Sequence, residues 1–180
     1  VDSEHVQPVT PMGWEALRYR PHIARFGNDE IVVIVRDREL STAQANGMDL
    51  GGFLHEVRER TQDCDFAPLV TTCCDGENGD WFRNVTPEHN FWGGFYQPLL
   101  KRVRAGASAL RPVFIQDYIE QFGVFGEVTV GPGAWNTGWN DGRDFVQWAG
   151  TQAQKNALTR LDEISQAVQA ALRNARRIGS

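Results

Sequence analysis

"EIVVIVRDREL", residues 30–40, decides how this chain folds. Five β-branched residues, Ile31 to Val35, run without a polar break and then give way to charge. An unbroken apolar run predicts a strand buried on both faces, as in a parallel sheet. The next stretch, "MDLGGFLHEVRERTQ" (48–62), spaces Leu50, Phe53, Leu54 and Val57 along one face of a helix. "FAPLVTTCC" (66–74) reads as a second buried strand. "TPEHNFWGGFYQPLLKRVRAG" (86–106) reads as a second helix, with Thr86 as N-cap, Pro87 at the first position and Gly106 at the end. Strand, helix, strand, helix is the order of an α/β fold.

The second half differs in texture. "VFIQDYIEQFG" (113–123) predicts a short helix closed by Gly123. "EVTVGPGAWNTGWNDGRDFVQWAG" (127–150) holds a short strand and a long loop rich in Gly and Trp. "TQAQKNALTRLDEISQAVQAALRNARR" (151–177) is one amphipathic helix, whose stripe of Leu158, Leu161, Ile164, Val168, Leu172 and Ala175 is expected to face a core.

The chain has 180 residues, 41% of them hydrophobic and 23% charged, the composition of an ordinary globular domain. A net charge of −5 argues against nucleic acid, which would draw a basic face. No apolar run reaches the roughly 20 residues that span a bilayer, so no membrane partner is expected. Cys64, Cys73 and Cys74 are odd in number and lack metal-site spacing. They read as reduced thiols of a cytoplasmic protein, which leaves the sequon at Asn84 without a role. No metal and no cofactor are expected.

Chemistry is expected where the strands end, because ligands in parallel α/β folds bind at the carboxyl ends of strands. "TTCCDGENGDW" (71–81) closes the second strand with Asp75, Gly76 and Glu77. "RDRELS" (36–41) closes the one before it with Arg36 and Asp37. "VDSEH" (1–5), with Asp2, Glu4 and His5, reads as the end of a further strand. Neighbouring negative charge and burial raise the pKa of a carboxyl, which is what a general acid needs. "DGEN" is also a good turn sequence, so Asp75 stands between a site and a turn. Indoles stand at Trp81, Trp92, Trp135, Trp139 and Trp148, several in Gly-rich loops. A flat apolar face beside carboxylates suits a sugar ring, although an indole also serves as core.

These residues resemble a known family. "TTCCDGENGDWF", followed by "NFWGGFYQPLLKRV", is similar to the fourth signature region of glycoside hydrolase family 57. That family holds α-amylases, amylopullulanases, 4-α-glucanotransferases and branching enzymes. "YRPHIARFGNDEIVVIVRDRELS" resembles its strand ending in Arg-Asp and Leu-Ser, and "GEVTVGPGAWNTGW" its Gly-Ser-Trp segment, in the same order. The resemblance implies the C-terminal part of a (β/α)7-type barrel followed by a long helix. Residues 1–112 would carry the barrel strands with the DGE strand end. Residues 113–180 would carry the short helix, the Trp/Gly-rich loop and the long helix of the same domain.

It further implies retaining cleavage of α-glucosidic bonds in starch, glycogen or malto-oligosaccharides. Asp75 would be the general acid/base, with Glu77, Trp81, Trp135, Arg36, Asp37 and Asp2 around the substrate. The family's Glu nucleophile belongs to a region upstream of "VDSEH", and Glu4 follows the wrong strand to replace it. The chain is therefore expected to be an internal piece, inactive by itself, whose partners are a glucan and the remainder of its own catalytic domain. Such a piece would associate through open sheet edges. Two other readings stay open: a carbohydrate-binding or partner-binding remnant without catalysis, and a metal-dependent polysaccharide deacetylase. The last would want two His one helical turn apart, and His5, His22, His55 and His89 hold no such pair.

Overall fold

In a computed structural model of the chain, which describes residues 1–76, 86–133 and 145–178, the apolar run at 30–35 divides in two. Its first half is β3 (Asp29–Val33), which pairs antiparallel with β2 (His22–Phe26) across a two-residue turn. Gly27 holds φ at 60° in that turn, a left-handed conformation that glycine adopts without a steric cost. The expectation of a strand buried on both faces fails here. Ile31 is 68% exposed, and burial begins only at Val33. The hairpin makes β3 an edge strand, so composition alone misread its surroundings. The second half, residues 34–37, forms no regular strand and is only partly buried. Val35 is buried, and Arg36 forms a parallel bridge with Asp2.

Residues Val1–Gly131 form one compact unit. Its sheet runs in the order β1, β4, β2, β3, with β1 at Val6–Pro8 and β4 at Gly126–Val130. β4 pairs antiparallel with β1 and parallel with β2, so the sheet is mixed. Val6, Val33, Val35 and Val128 form a core on this sheet, with Leu17 of α1 (Trp14–Tyr19) and Ala24 packed against it. A second core joins Leu40 of α2 (Arg38–Ala45) to Leu50, Phe53 and Val57 of α3 (Leu50–Thr61) and to Phe95. The α3 spacing is the one its sequence predicts. Each helix is capped by an Asp whose carboxylate accepts a backbone N–H, Asp37 from Leu40 and Asp49 from Gly52.

The helix expected from Thr86 starts later. Residues 87–89 form a turn, and Asn90 is the N-cap, accepting from Gly93 N at 2.9 Å. A π-helix (Phe91–Tyr96) follows and runs into α4 (Gln97–Arg104). The turn packs tightly against Gly93. A Cβ there would lie 1.9 Å from the Pro87 carbonyl oxygen and 2.9 Å from its carbon. The chain doubles back so closely that only a glycine fits. Gly93→Ala is expected to cost about 3 kcal/mol, the severe end of overpacking, because the obstacle is backbone. A urea melt reads the loss; a shift below about 0.5 kcal/mol would show that the turn yields.

The "FAPLVTTCC" stretch forms no regular strand. Leu69 alone is buried, and single hydrogen bonds hold it, from Leu69 N to Tyr19 O and from Asp37 N to Thr71 O. α5 (Ile115–Phe122) ends at Gly123, as its sequence predicts.

Residues Pro132–Ser180 form a second unit, with α6 (Val146–Ala149) and α7 (Gln152–Ile178). Thr151 and Gln154 cap α7 reciprocally, each backbone N–H meeting the other's side-chain oxygen. The expected core-facing stripe is not buried. Leu158, Leu161, Ile164, Val168 and Leu172 are 49–64% exposed. A helix of 27 residues extends about 40 Å, and the four-residue α6 is too short to cover it. Among the described residues, no helix is long and apolar enough to cross a membrane.

Candidate functional site

Three chain segments meet at the motif that the sequence singled out. Val1 N donates to Ile34 O at 3.0 Å, and Arg36 N donates to Val1 O at 2.7 Å, so residues 1–2 lie along 34–36. On the next segment, Asp37 N donates to Thr71 O at 2.9 Å, and Cys73 N donates to Ser41 Oγ at 3.1 Å. Ser41 Oγ in turn donates to Asp37 O at 2.6 Å. "RDRELS" is thus a connector, joining the "VDSEH" stretch to the segment that ends in Asp75.

Its charges alternate and are matched in turn. Arg36 Nη1 holds Asp2 Oδ1 at 2.8 Å, and Arg38 holds Glu4. Arg18 Nη1 donates to Glu39 Oε2 at 2.8 Å, and this bond holds the Glu39 carboxyl down at about 2. Asp37 is 1% exposed, and its carboxylate gathers the most partners. Tyr19 Oη donates to it at 2.8 Å, Leu40 N at 3.0 Å and Arg60 Nη1 at 3.4 Å, with Arg18 Nη1 at 3.9 Å. Burial, reinforced by the Asp37 carboxylate, raises the Tyr19 hydroxyl well above its ordinary range. Tyr19 is therefore a donor to Asp37 throughout the working pH range and not a proton source.

Asp75 lies at the open end of the third segment and is exposed. Cys74 beside it is partly buried. Burial raises its thiol first and Cys73 second, while the Arg36 guanidinium acts in the opposite direction. Arg36 is thereby within electrostatic reach of the segment that carries Asp75. The structure brings together Asp2, Arg36 and Asp37 by direct contact or sequence adjacency. Glu77, Trp81 and Trp135, the other residues singled out, lie outside the described residues, as does Trp139. Asp2, Glu4 and His5 are the described residues close enough to share a metal ion, with ligand atoms within 4.8 Å of one another. Arg36 and Arg38 already neutralise the two carboxylates.

Sequence reading missed Tyr19, Arg18 and Arg60, which converge on Asp37 from α1 and α3. It also missed His22, which is 0% exposed on β2. His22 Nε2 bonds Leu17 O at 2.9 Å, and Nδ1 finds no hydrogen-bond partner among the described residues. Since a carbonyl only accepts, Nε2 carries the proton and Nδ1 keeps its lone pair. Burial lowers the His22 pKa from 6.5, so the fold selects the neutral ring.

The unfolded chain therefore binds more protons than the fold below pH 6.5. The stability His22 contributes is complete above that pH and is lost as pH falls through it, by up to about 1.4 kcal/mol per pH unit. Urea melts between pH 7.5 and about 5 should show this slope, and His22→Leu should flatten it. Equal slopes in both proteins would remove His22 from the acid response.

Compared with family models, curated proteins and solved structures, the chain matches none.

Proposed function

We propose that this chain is part of a retaining glycosidase or transglycosidase acting on α-glucans, with Asp75 as its general acid/base. One observation carries the reading. Asp75 is an exposed carboxylate after an irregular segment, and hydrogen bonds tie that segment to the charged stretch at 36–41, which in turn pairs with residues 1–2. The resemblance to glycoside hydrolase family 57 over "TTCCDGENGDWF" adds the reaction class. In this reading the first unit belongs to the C-terminal part of a (β/α)7-type barrel. The mixed α/β architecture and the long last helix are compatible with that placement.

The reaction has two displacements. A Glu outside residues 1–180 attacks the anomeric carbon, while Asp75 gives its proton to the departing glycosidic oxygen. Asp75, now a carboxylate, takes a proton from water or an acceptor sugar hydroxyl. That oxygen attacks the same carbon and releases the Glu. Asp2 and Arg36 border the site, and Asp37 acts from inside the fold by holding the adjoining segment in place. The free thiols Cys64, Cys73 and Cys74 support a reducing, cytoplasmic setting.

The test is stereochemical. Proton NMR of maltoheptaose cleavage by the full-length polypeptide should show the α anomer of the product first. Initial release of the β anomer would mean inversion and would remove the double displacement. A sugar-binding remnant without catalysis would bind the heptaose and release nothing.

A further inference from the structure

The residues just before Asp75 are held by hydrogen bonds and not by burial. Between residues 66 and 76 Leu69 alone is buried, and the stretch forms no regular strand, so no sheet ladder fixes it. Cys73 is exposed and Cys74 only partly buried, so side-chain packing does little to place them. Two backbone groups of the stretch are instead tied to the 36–41 connector. Asp37 N donates to Thr71 O at 2.9 Å, and Cys73 N donates to Ser41 Oγ at 3.1 Å. Among the described residues, the second is the side-chain bond nearest to Asp75 in sequence.

Ser41 is built to hold that amide. It is 0% exposed on α2, next to Leu40, which anchors the helix in the core. Ser41 Oγ lies 2.6 Å from Asp37 O. A carbonyl only accepts, so the one hydroxyl proton goes to Asp37 O, and the lone pairs of Oγ accept from Cys73 N. The direction of each bond is thereby set, from amide to hydroxyl to carbonyl. Asp37 is locked in turn by Tyr19, Arg60 and the Leu40 amide. The buried network therefore continues through the Ser41 hydroxyl to the backbone that leads into Asp75.

We infer that Ser41 is a positioning residue for Asp75, whose hydroxyl fixes the backbone at Cys73 and so sets where the carboxyl stands. The inference rests on the acid/base role proposed above and adds to it the group that places the carboxyl. Ser41 touches no substrate and acts through residues 73–75. A misplacement of about 1 Å can lower a rate about 10²-fold, so a single hydrogen bond is enough to matter.

The experiment compares Ser41→Ala, Asp75→Ala and the double variant in the full-length polypeptide, with maltoheptaose and with an aryl α-maltoside whose phenol leaves easily. Ser41→Ala should lower kcat on maltoheptaose about 10–100-fold and leave KM within about threefold. The first displacement on the aryl maltoside needs no proton, so the pre-steady-state rate of phenol release should stay within about twofold. In the Asp75→Ala background, removing Ser41 should change kcat by less than about twofold, because the group it positions is gone. Ser41→Cys fills nearly the same space with a weak acceptor and should show the same pattern, and it carries the test if Ser41→Ala melts below the assay temperature. Parental kcat in a folded variant overturns the inference and leaves the role of Asp75 in place. So does an equal loss on both substrates, a loss that multiplies with that of Asp75→Ala, or a failure of both variants to fold, because Ser41 would then support the fold at large. If Asp75→Ala itself keeps parental kcat on maltoheptaose, the acid/base role falls and the positioning role with it.

Discussion

Asp75→Asn in the full-length polypeptide should lower kcat on maltoheptaose by about 10²–10⁴-fold, the range that a positioned acid/base supplies. KM should change little, because an amide keeps the shape and most hydrogen bonds of the carboxyl. An activated substrate separates the two half-reactions. With an aryl α-maltoside whose phenol is a good leaving group, the first displacement needs no proton and should proceed at a near-normal rate. The second still needs a base to take a proton from water, so it becomes limiting. The glycosyl-enzyme then accumulates, and apparent KM should fall well below the parent's. Stopped-flow release of the phenol should show a burst. Equal losses on natural and activated substrates, without a burst, would place the role of Asp75 elsewhere.

Asp37→Ala should produce the largest loss of stability in this group, about 3–5 kcal/mol, the range for removing one partner from a buried charge network. Three donors lose their acceptor at once: the Tyr19 hydroxyl, the Leu40 amide and the Arg60 guanidinium. The Leu40 amide is the N-cap bond of α2, worth about 1 kcal/mol by itself. The remainder comes from leaving the Tyr19 hydroxyl, on a residue 1% exposed, without its acceptor, and from Arg60, which keeps Glu56 as a partner, losing Asp37. Asp37→Asn keeps an acceptor for the cap and should cost less. A double-mutant cycle with Tyr19→Phe should return a coupling of about 0.5–3 kcal/mol, as expected for groups in contact. Urea melts of the full-length polypeptide measure all of these. A loss below about 1 kcal/mol for Asp37→Ala would mean that water replaces the carboxylate, and that α2 is held by its apolar face alone.

Local patterns were legible in the sequence wherever a short-range rule decides the outcome. Leu50, Phe53 and Val57 share a face because a helix turns every 3.6 residues, and no distant contact alters that. Gly123 ends α5 by equally local means. Reading failed where a distant partner or a single atom decided. Ile31 to Val35 have the composition of a buried strand, yet the Gly27–Asn28 turn folds the first of them into a solvent-facing hairpin. Thr86 and Pro87 look like a helix start, yet residues 87–89 form a turn packed against Gly93, and Asn90 is the N-cap.

The site divides in the same way. "RDRELS" was visible as a cluster of charge and it does meet Asp2, but through an isolated bridge, because Ser3–His5 form a 3-10 helix and 66–74 no regular strand. That Asp37 lies inside, held by Tyr19 and Arg60, was not visible. Those residues are 18 and 23 positions away, and no local spacing links them. The stripe of α7 was read correctly as amphipathic, but periodicity says which residues share a face and not what covers it.

The most direct measurement is chemical rescue of Asp75→Ala in the full-length polypeptide by azide, with an aryl α-maltoside as substrate. Azide needs no base, so it can attack a glycosyl-enzyme that the missing carboxylate has stranded. If Asp75 is the acid/base, azide should restore turnover, and the product should be maltosyl azide of the α configuration, after two inversions. The β azide would mean that azide displaced the phenol directly in place of a missing nucleophile. That result, or the absence of any rescue, would contradict the role assigned to Asp75.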